Sequence, residues 1–389
     1  MDFATHSPSS LLQSAVDARE VPGIVAFATK KDGPIYHEAF GRRDFTKDDR
    51  MNVDSVFWIA SMTKAITAAA AMQLVEQAKL SLDEPIGGLL PDLASPKVLE
   101  GFDKDGTPKL RPAKGPITLR QLMTHTSGFC YDMWNADMVR YMEHTQNPGI
   151  ISCENKALTI PLTSDPGTRW EYGIGIDFVG KAVEATSGKA LGSYLQDNMF
   201  SPLGMTDTSF KLRDDQRKRL VALHARSSPN SFDVMPFEIP QEPEFEMGGG
   251  GLYGTASDYG AFIRMLLNRG KINGNQVLKP ETVDLMGQNN MGGLNMTKMH
   301  SAIPAVTNNV DFYTEQDKKW GLSFMINTQK TKEGRNPGGL AGAGLANTYF
   351  WVDPTAKVGG LVMTQILPFA DPHVLPLFAG FEKAVYESL

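Results

Sequence analysis

Ser61 and Lys64 stand three residues apart in Trp58-Ile59-Ala60-Ser61-Met62-Thr63-Lys64-Ala65, which opens an alanine-rich helical run reaching Ala78. Side chains three apart on a helix share a face, so hydroxyl and amine are neighbours. A serine hydroxyl attacks a carbonyl only when an adjacent base takes its proton. Lysine is that base only as the neutral amine, and its usual pKa of about 10.4 must fall through burial or nearby positive charge. Ala60, Ala65, Ile66, Ala68 and Ala69 give Lys64 an apolar neighbourhood. A bare Ser-x-x-Lys is a weak signal, because a solvated helix face produces it by chance. On a buried helix, however, an unpaired lysine is costly without a purpose. The expected chemistry is acyl transfer through an acyl-serine.

Other chemistries find less support. Gly-x-Ser-x-Gly, which an α/β-hydrolase needs at its strand-to-helix elbow, does not occur. Gly249-Gly250-Gly251-Leu252-Tyr253-Gly254 formally satisfies GxGxxG, yet no strand–turn–helix unit with a following acidic residue surrounds it, so it reads as backbone geometry beside a cleft. HExxH is absent and the seven histidines are scattered, so neither a metal nor another cofactor is expected. His125 sits in a helix-ending turn, where a structural hydrogen bond suits it better than the role of base.

The elements that must position Ser61 and Lys64 fall into two groups. Residues 9–19 read as a helix, and residues 23–28 and 35–40 flank the turn signal Asp32-Gly33 as a β-hairpin. Near the other end, residues 321–326, 348–352 and 359–365 read as strands, followed by a helix over 374–386. Strands at both ends suggest one antiparallel sheet built from the two termini, with the terminal helices covering a face. The middle carries helical patterns at 118–124, 176–187 and 189–199, with long Pro/Gly-rich connections at 91–116 and 226–250. The expected fold is thus α/β in the α+β sense: a sheet domain of residues 1–84 and 247–389, an inserted helical domain of 85–246, and a cleft between them.

Composition narrows the partners. A 389-residue chain with 41% hydrophobic and 21% charged residues has ample material for a core. Its net charge of -6 disfavours nucleic acid, which requires a basic face. The start shows no basic stretch followed by an apolar run, and no run approaches the ~20 apolar residues of a membrane span. A cytoplasmic location and no membrane are therefore expected, while the acyl chemistry of Ser61 and Lys64 implies a small-molecule ester as partner. Cys130 and Cys153 have neither CxxC nor metal spacing, and oligomeric state is left open.

Taken with Leu80-Ser81-Leu82-Asp83-Glu84-Pro85-Ile86, Leu122-Met123-Thr124-His125-Thr126-Ser127-Gly128 and Pro202-Leu203-Gly204-Met205, the Ser-Met-Thr-Lys motif gives a clear resemblance. The chain resembles class C β-lactamases, and more closely the family VIII carboxylesterases of the serine β-lactamase/transpeptidase fold. That resemblance implies a catalytic tyrosine, matched by Tyr172 in Trp170-Glu171-Tyr172-Gly173-Ile174, with a pKa lowered by Lys64. It implies an oxyanion hole from the backbone N–H groups of Ser61 and Leu345, and substrate contacts from Met62, Tyr131, Ile174, Gly342 and Gly344. Tyr131 matches a pocket-wall position, though an ordinary surface aromatic fits its sequence context nearly as well. Two departures stand out: Ile174 replaces the lactamase asparagine, and Gly342-Ala343-Gly344-Leu345 replaces Lys-Thr-Gly. The first expectation is hydrolysis of short-chain acyl esters, with weak action on β-lactams. The alternatives are a β-lactamase or D-amino-acid peptidase, a transesterase making a natural product, for which a fungal acyltransferase of this fold with a glycine-rich third motif is the precedent, and a catalytically dead homologue.

Overall fold

Short apolar strands near the two chain ends have no partner close by in sequence except their hairpin neighbours, and they complete their ladders on one another. In the computed structural model of the protein, which describes residues 7–389, β1 (Gly23–Lys30) and β2 (Gly33–Asp44) form the expected hairpin. From the other end come β4 (Lys318–Trp320), β5 (Met325–Asn327), β6 (Leu340–Gly344), β7 (Thr348–Asp353) and β8 (Val358–Met363). With β3 (Asp49–Arg50) the sheet order is β4-β5-β6-β7-β8-β1-β2-β3, antiparallel throughout. The pairing of β1 with β8, from Val25↔Met363 to Lys30↔Val358, joins the two ends.

Strand side chains alternate between faces, and β1 is buried on both. Ile24, Ala26 and Ala28 join Tyr349 and Trp351 in one core. There they lie under α1 (Pro8–Asp17) and α5 (Val374–Glu387), which pack on each other. Val25 and Phe27 join Phe350 in the other core, which extends into the helical region. Ahead of that region, α2 (Thr63–Glu76) buries every side chain from Thr63 to Leu74. A helix apolar on all sides must lie inside the molecule. It packs against α3 (Gly175–Ser187), so a division at residue 84 runs between elements in contact. Further along, α4 (Ala256–Leu267) packs on β1 and β8.

Several expectations change. The connections at 91–116 and 226–250 each contain strand: Lys97–Phe102 pairs with Pro108–Pro112, and Leu223–Ser228 with Ser231–Met235. Pro108 and Pro112 end a two-stranded ribbon, where a missing N–H is tolerable. The apolar run 321–326 is mostly a turn between β4 and β5. Ser323 takes φ +71, while Leu322 N–H and Ser323 N–H donate to the carbonyls of Met286 and Met123 at 2.9 and 3.1 Å. Apolarity there serves burial rather than a ladder. No helix among the described residues is long and apolar enough to cross a membrane.

One buried ion pair fixes α5 to the segment entering β6. Arg335 donates from Nε and Nη2 to Glu382 Oε1 and Oε2, both at 2.7 Å, and from Nη1 to the Tyr313 hydroxyl at 2.5 Å. Arg335 is 2% and Glu382 2% exposed. Removing one partner strands a charge at a cost of about 3–5 kcal/mol. Glu382→Gln is therefore expected to lower unfolding free energy by about that amount in chemical denaturation, whereas a loss below ~1 kcal/mol would show that the pair contributes little.

Candidate active site

Ser61 lies in a 3₁₀ turn, Ala60–Met62, that leads into α2. Side chains three apart nearly eclipse in such a turn, and Lys64 Nζ donates to Ser61 Oγ at 3.0 Å. The preceding residue, Ala60, holds φ +44, a left-handed conformation that β-carbon residues rarely adopt. The end of β6 closes on this turn because Gly344 has no side chain: a Cβ there would sit 2.4 Å from the Ile59 carbonyl oxygen. Gly344 and Leu345 thus lie at the serine.

Lys64 is 3% exposed. Besides Ser61, its amine donates to the Tyr131 hydroxyl at 2.9 Å and to the Gly249 carbonyl at 2.6 Å. Three donors meet three acceptors. The rings of Tyr131 and Tyr172 lie 5.0 and 4.9 Å from Nζ. Burial pulls the Lys64 pKa down, and the nearby Asp177 carboxylate pulls it partly back. Burial drives Tyr172 the opposite way from the expectation: its hydroxyl is held well above the usual phenol range, with Ser61 opposing. Tyr172 is therefore a protonated phenol at rest, and Lys64 is the group whose basicity the site tunes. Tyr131 corrects the reading as an ordinary surface aromatic, being 4% exposed and bonded to Lys64. His125 accepts the Gly173 N–H on Nδ1 at 3.3 Å and lies 4.3 Å from the Tyr172 ring. Burial, then Lys64, push its pKa well down, which suits the structural role.

The glycine-rich stretch does lie beside the cleft. Three successive carbonyls there are fixed by side chains around the serine turn: Gly248 by Thr67 Oγ1 at 2.8 Å, Gly249 by Lys64, and Gly250 by Trp58 Nε1 at 2.7 Å. Asp177 Oδ1 accepts the Gly249 N–H at 2.8 Å. A Cβ on Gly249 would meet Asp177 Oδ2 at 2.7 Å, so only glycine lets the loop come this close. Sequence reasoning missed Asp177. The available signal was a carboxylate set among Ile174, Ile176, Phe178 and Val179, where an acidic residue has no bland reason to be.

Ser61, Tyr172, Gly342, Ala343, Gly344 and Leu345 line a narrow cavity of about 50 Å³. Its remaining walls are Trp134, Trp170, Trp320, Phe312, Phe369 and the methionines 296, 299 and 325. None of the lining residues carries a charge. Three expected contacts are absent from it: Tyr131, whose hydroxyl is taken up by Lys64, Met62 and Ile174. Met62 is fully buried, its carbonyl accepting the Tyr259 hydroxyl at 3.0 Å. Ile174, at the head of α3, packs into the core. The aromatic and methionine walls were not anticipated from sequence. Among the described residues, no group of three or more His, Cys, Asp or Glu is placed to hold a metal.

Residues 9–380 match the Beta-lactamase family model. The chain is 33% identical over 393 residues to a monacolin J acid methylbutanoyltransferase from Aspergillus terreus, covering 96% of this chain and 94% of that one. It is 36% identical over 296 residues to a lovastatin esterase from Penicillium rubens, covering 72% of each. Among solved structures, a simvastatin synthase mutant from Aspergillus terreus superposes with a TM-score of 0.84 at 32% identity, covering 98% of this chain and 94% of that one.

Proposed function

The chain belongs to the Beta-lactamase family and is a serine enzyme of acyl transfer, and we propose that it is an acyltransferase that moves a short acyl group from an ester or thioester to the hydroxyl of an apolar acceptor. Hydrolysis is its side reaction. Sequence alone put hydrolysis first; the methylbutanoyltransferase and esterase relatives support acyl-serine chemistry, and the methylbutanoyltransferase supports reading transfer ahead of hydrolysis. The observation that carries the reading is the uncharged wall of aromatic rings and methionines around Ser61. Such a wall admits hydrocarbon and holds little water, which favours an alcohol as the second nucleophile.

In the proposed reaction Lys64 acts as the neutral amine, having lost one of its three protons to solvent; Ser61 Oγ adds to the acyl carbonyl and its proton passes to Lys64 Nζ, 3.0 Å away. The backbone N–H groups of Ser61 and Leu345 hold the oxyanion. Tyr172, protonated at rest, gives its proton to the leaving oxygen or sulfur and recovers one from Lys64. The acceptor hydroxyl then attacks the acyl-serine by the same path reversed, yielding the new ester and free Ser61. Gly342 and Gly344 pass the acyl chain along β6.

Partitioning tests this reading. With p-nitrophenyl butyrate as donor and a panel of apolar alcohols, the expected result is that an acceptor captures most acyl groups as ester, measured by mass spectrometry against p-nitrophenol released. Capture by water alone, across acceptors, would make the protein a carboxylesterase.

A further inference from the structure

Asp177 is a buried carboxylate with one oxygen on the Gly249 N–H and the other without a hydrogen-bond partner. A buried carboxylate short of partners is costly, and none of the acyl-transfer steps above uses it. Gly249 links it to the chemistry, because the same residue's carbonyl accepts from Lys64 at 2.6 Å. The fit is close enough that a methyl group on Gly249 would collide with the carboxylate.

We propose that Asp177 is the positioning residue for Lys64: it anchors Gly249 so that the Gly249 carbonyl keeps the amine on Ser61, and it sets a carboxylate on the same residue that holds the amine. This rests on the reading of Lys64 as the base for Ser61. An asparagine would satisfy the Gly249 N–H equally well, so the hydrogen bond alone does not explain a carboxylate.

The neighbouring groups leave this as the local charge pair. Tyr131, Tyr172 and His125 face Lys64; burial keeps both phenols protonated and the imidazole neutral. On the Asp177 side are those two phenols and Cys153, whose thiol burial pushes up to about 12. Asp132 faces Tyr131 from farther out. Burial raises the Asp177 pKa and lowers that of Lys64, and each charge opposes the effect on the other. Removing the Asp177 charge leaves burial unopposed at Lys64. The amine then sheds its proton at lower pH, and the acidic limb of Ser61 reactivity moves the same way.

The test is the pH profile of Ser61 labelling by a fluorophosphonate, measured on the full-length chain. Asp177→Asn is expected to move the acidic limb down by about one pH unit. Asp177→Ala, which also loses the anchor, should lower the plateau rate by about tenfold or more. An Asp177→Asn profile superimposed on the parent, or an unchanged Asp177→Ala plateau, overturns the proposal. Should thermal melting show that the aspartate variants do not fold, Gly249→Ala displaces the same contact without removing charge. About tenfold slower labelling is expected of it, and an unchanged rate is again decisive against. Lys64→Ala separates the two readings. Its labelling at the parent rate overturns the role of Lys64 and this proposal with it, whereas slow Lys64→Ala beside an unmoved Asp177→Asn overturns this proposal alone.

Discussion

Ser61→Ala is expected to abolish covalent labelling and to lower kcat by at least ~10³-fold, since groups acting as one unit carry losses of that order and more. The reason is geometric. Ser61 Oγ bonds to Lys64 Nζ at 3.0 Å, and the other hydroxyl on that amine, that of Tyr131 at 2.9 Å, lies outside the cavity lining, so it does not stand in for the serine. Lys64→Ala and Tyr172→Phe remove parts of the same proton path. Their separate losses are expected to be large and the double variant little worse than the poorer single one. Steady-state kinetics on the four proteins decides the matter. Small effects that simply multiply would mean that Lys64 and Tyr172 act independently.

Between a short aryl ester and a penicillin, kcat/KM is expected to differ by at least about a hundredfold in favour of the ester, roughly 2.7 kcal/mol at the transition state. A β-lactam must have its carboxylate and side-chain amide held while the acyl-enzyme is attacked. The cavity at Ser61 offers no cation: Gly342 supplies only backbone where the lactamases place a lysine, and Ile174 is turned into the core. A short acyl chain needs only the two backbone donors and an apolar wall. Comparable kcat/KM for benzylpenicillin and p-nitrophenyl butyrate on one preparation would place the protein among the antibiotic-hydrolysing members of its family.

The parts legible in sequence were those written in local spacing. Turn residues and alternation gave the β1–β2 hairpin, and both terminal helices fell near their expected ranges. The Ser61–Lys64 pair followed from its three-residue interval. Tyr172 entered only through resemblance, because nothing local distinguishes it from a core tyrosine. Met62 and Ile174 lie outside the cavity lining for a common reason: adjacency along the chain is not adjacency in a cavity. One residue along a 3₁₀ turn points about 120° away from Ser61, and Met62 accordingly enters the core. The walls were illegible in another way. Trp134, Trp170, Trp320 and Phe369 come from distant segments, and only the assembled fold puts them together. Asp177 was legible in principle as a charge in apolar company.

The small size of the cavity bears on how affinities for this protein should be interpreted. The cavity is narrow, about 50 Å³, and methionine thioethers on its wall rotate more readily than indoles, so the methionines are the part of the wall expected to move as an acyl donor is seated. Where seating selects a less populated arrangement of the wall, the measured dissociation constant is the intrinsic one divided by the population of that arrangement. A ligand that keeps Met296, Met299 and Met325 apart raises that population for whatever follows it into the site. The acyl group held on Ser61 is such a ligand, so the acceptor is expected to bind the acyl-enzyme more tightly than the free enzyme.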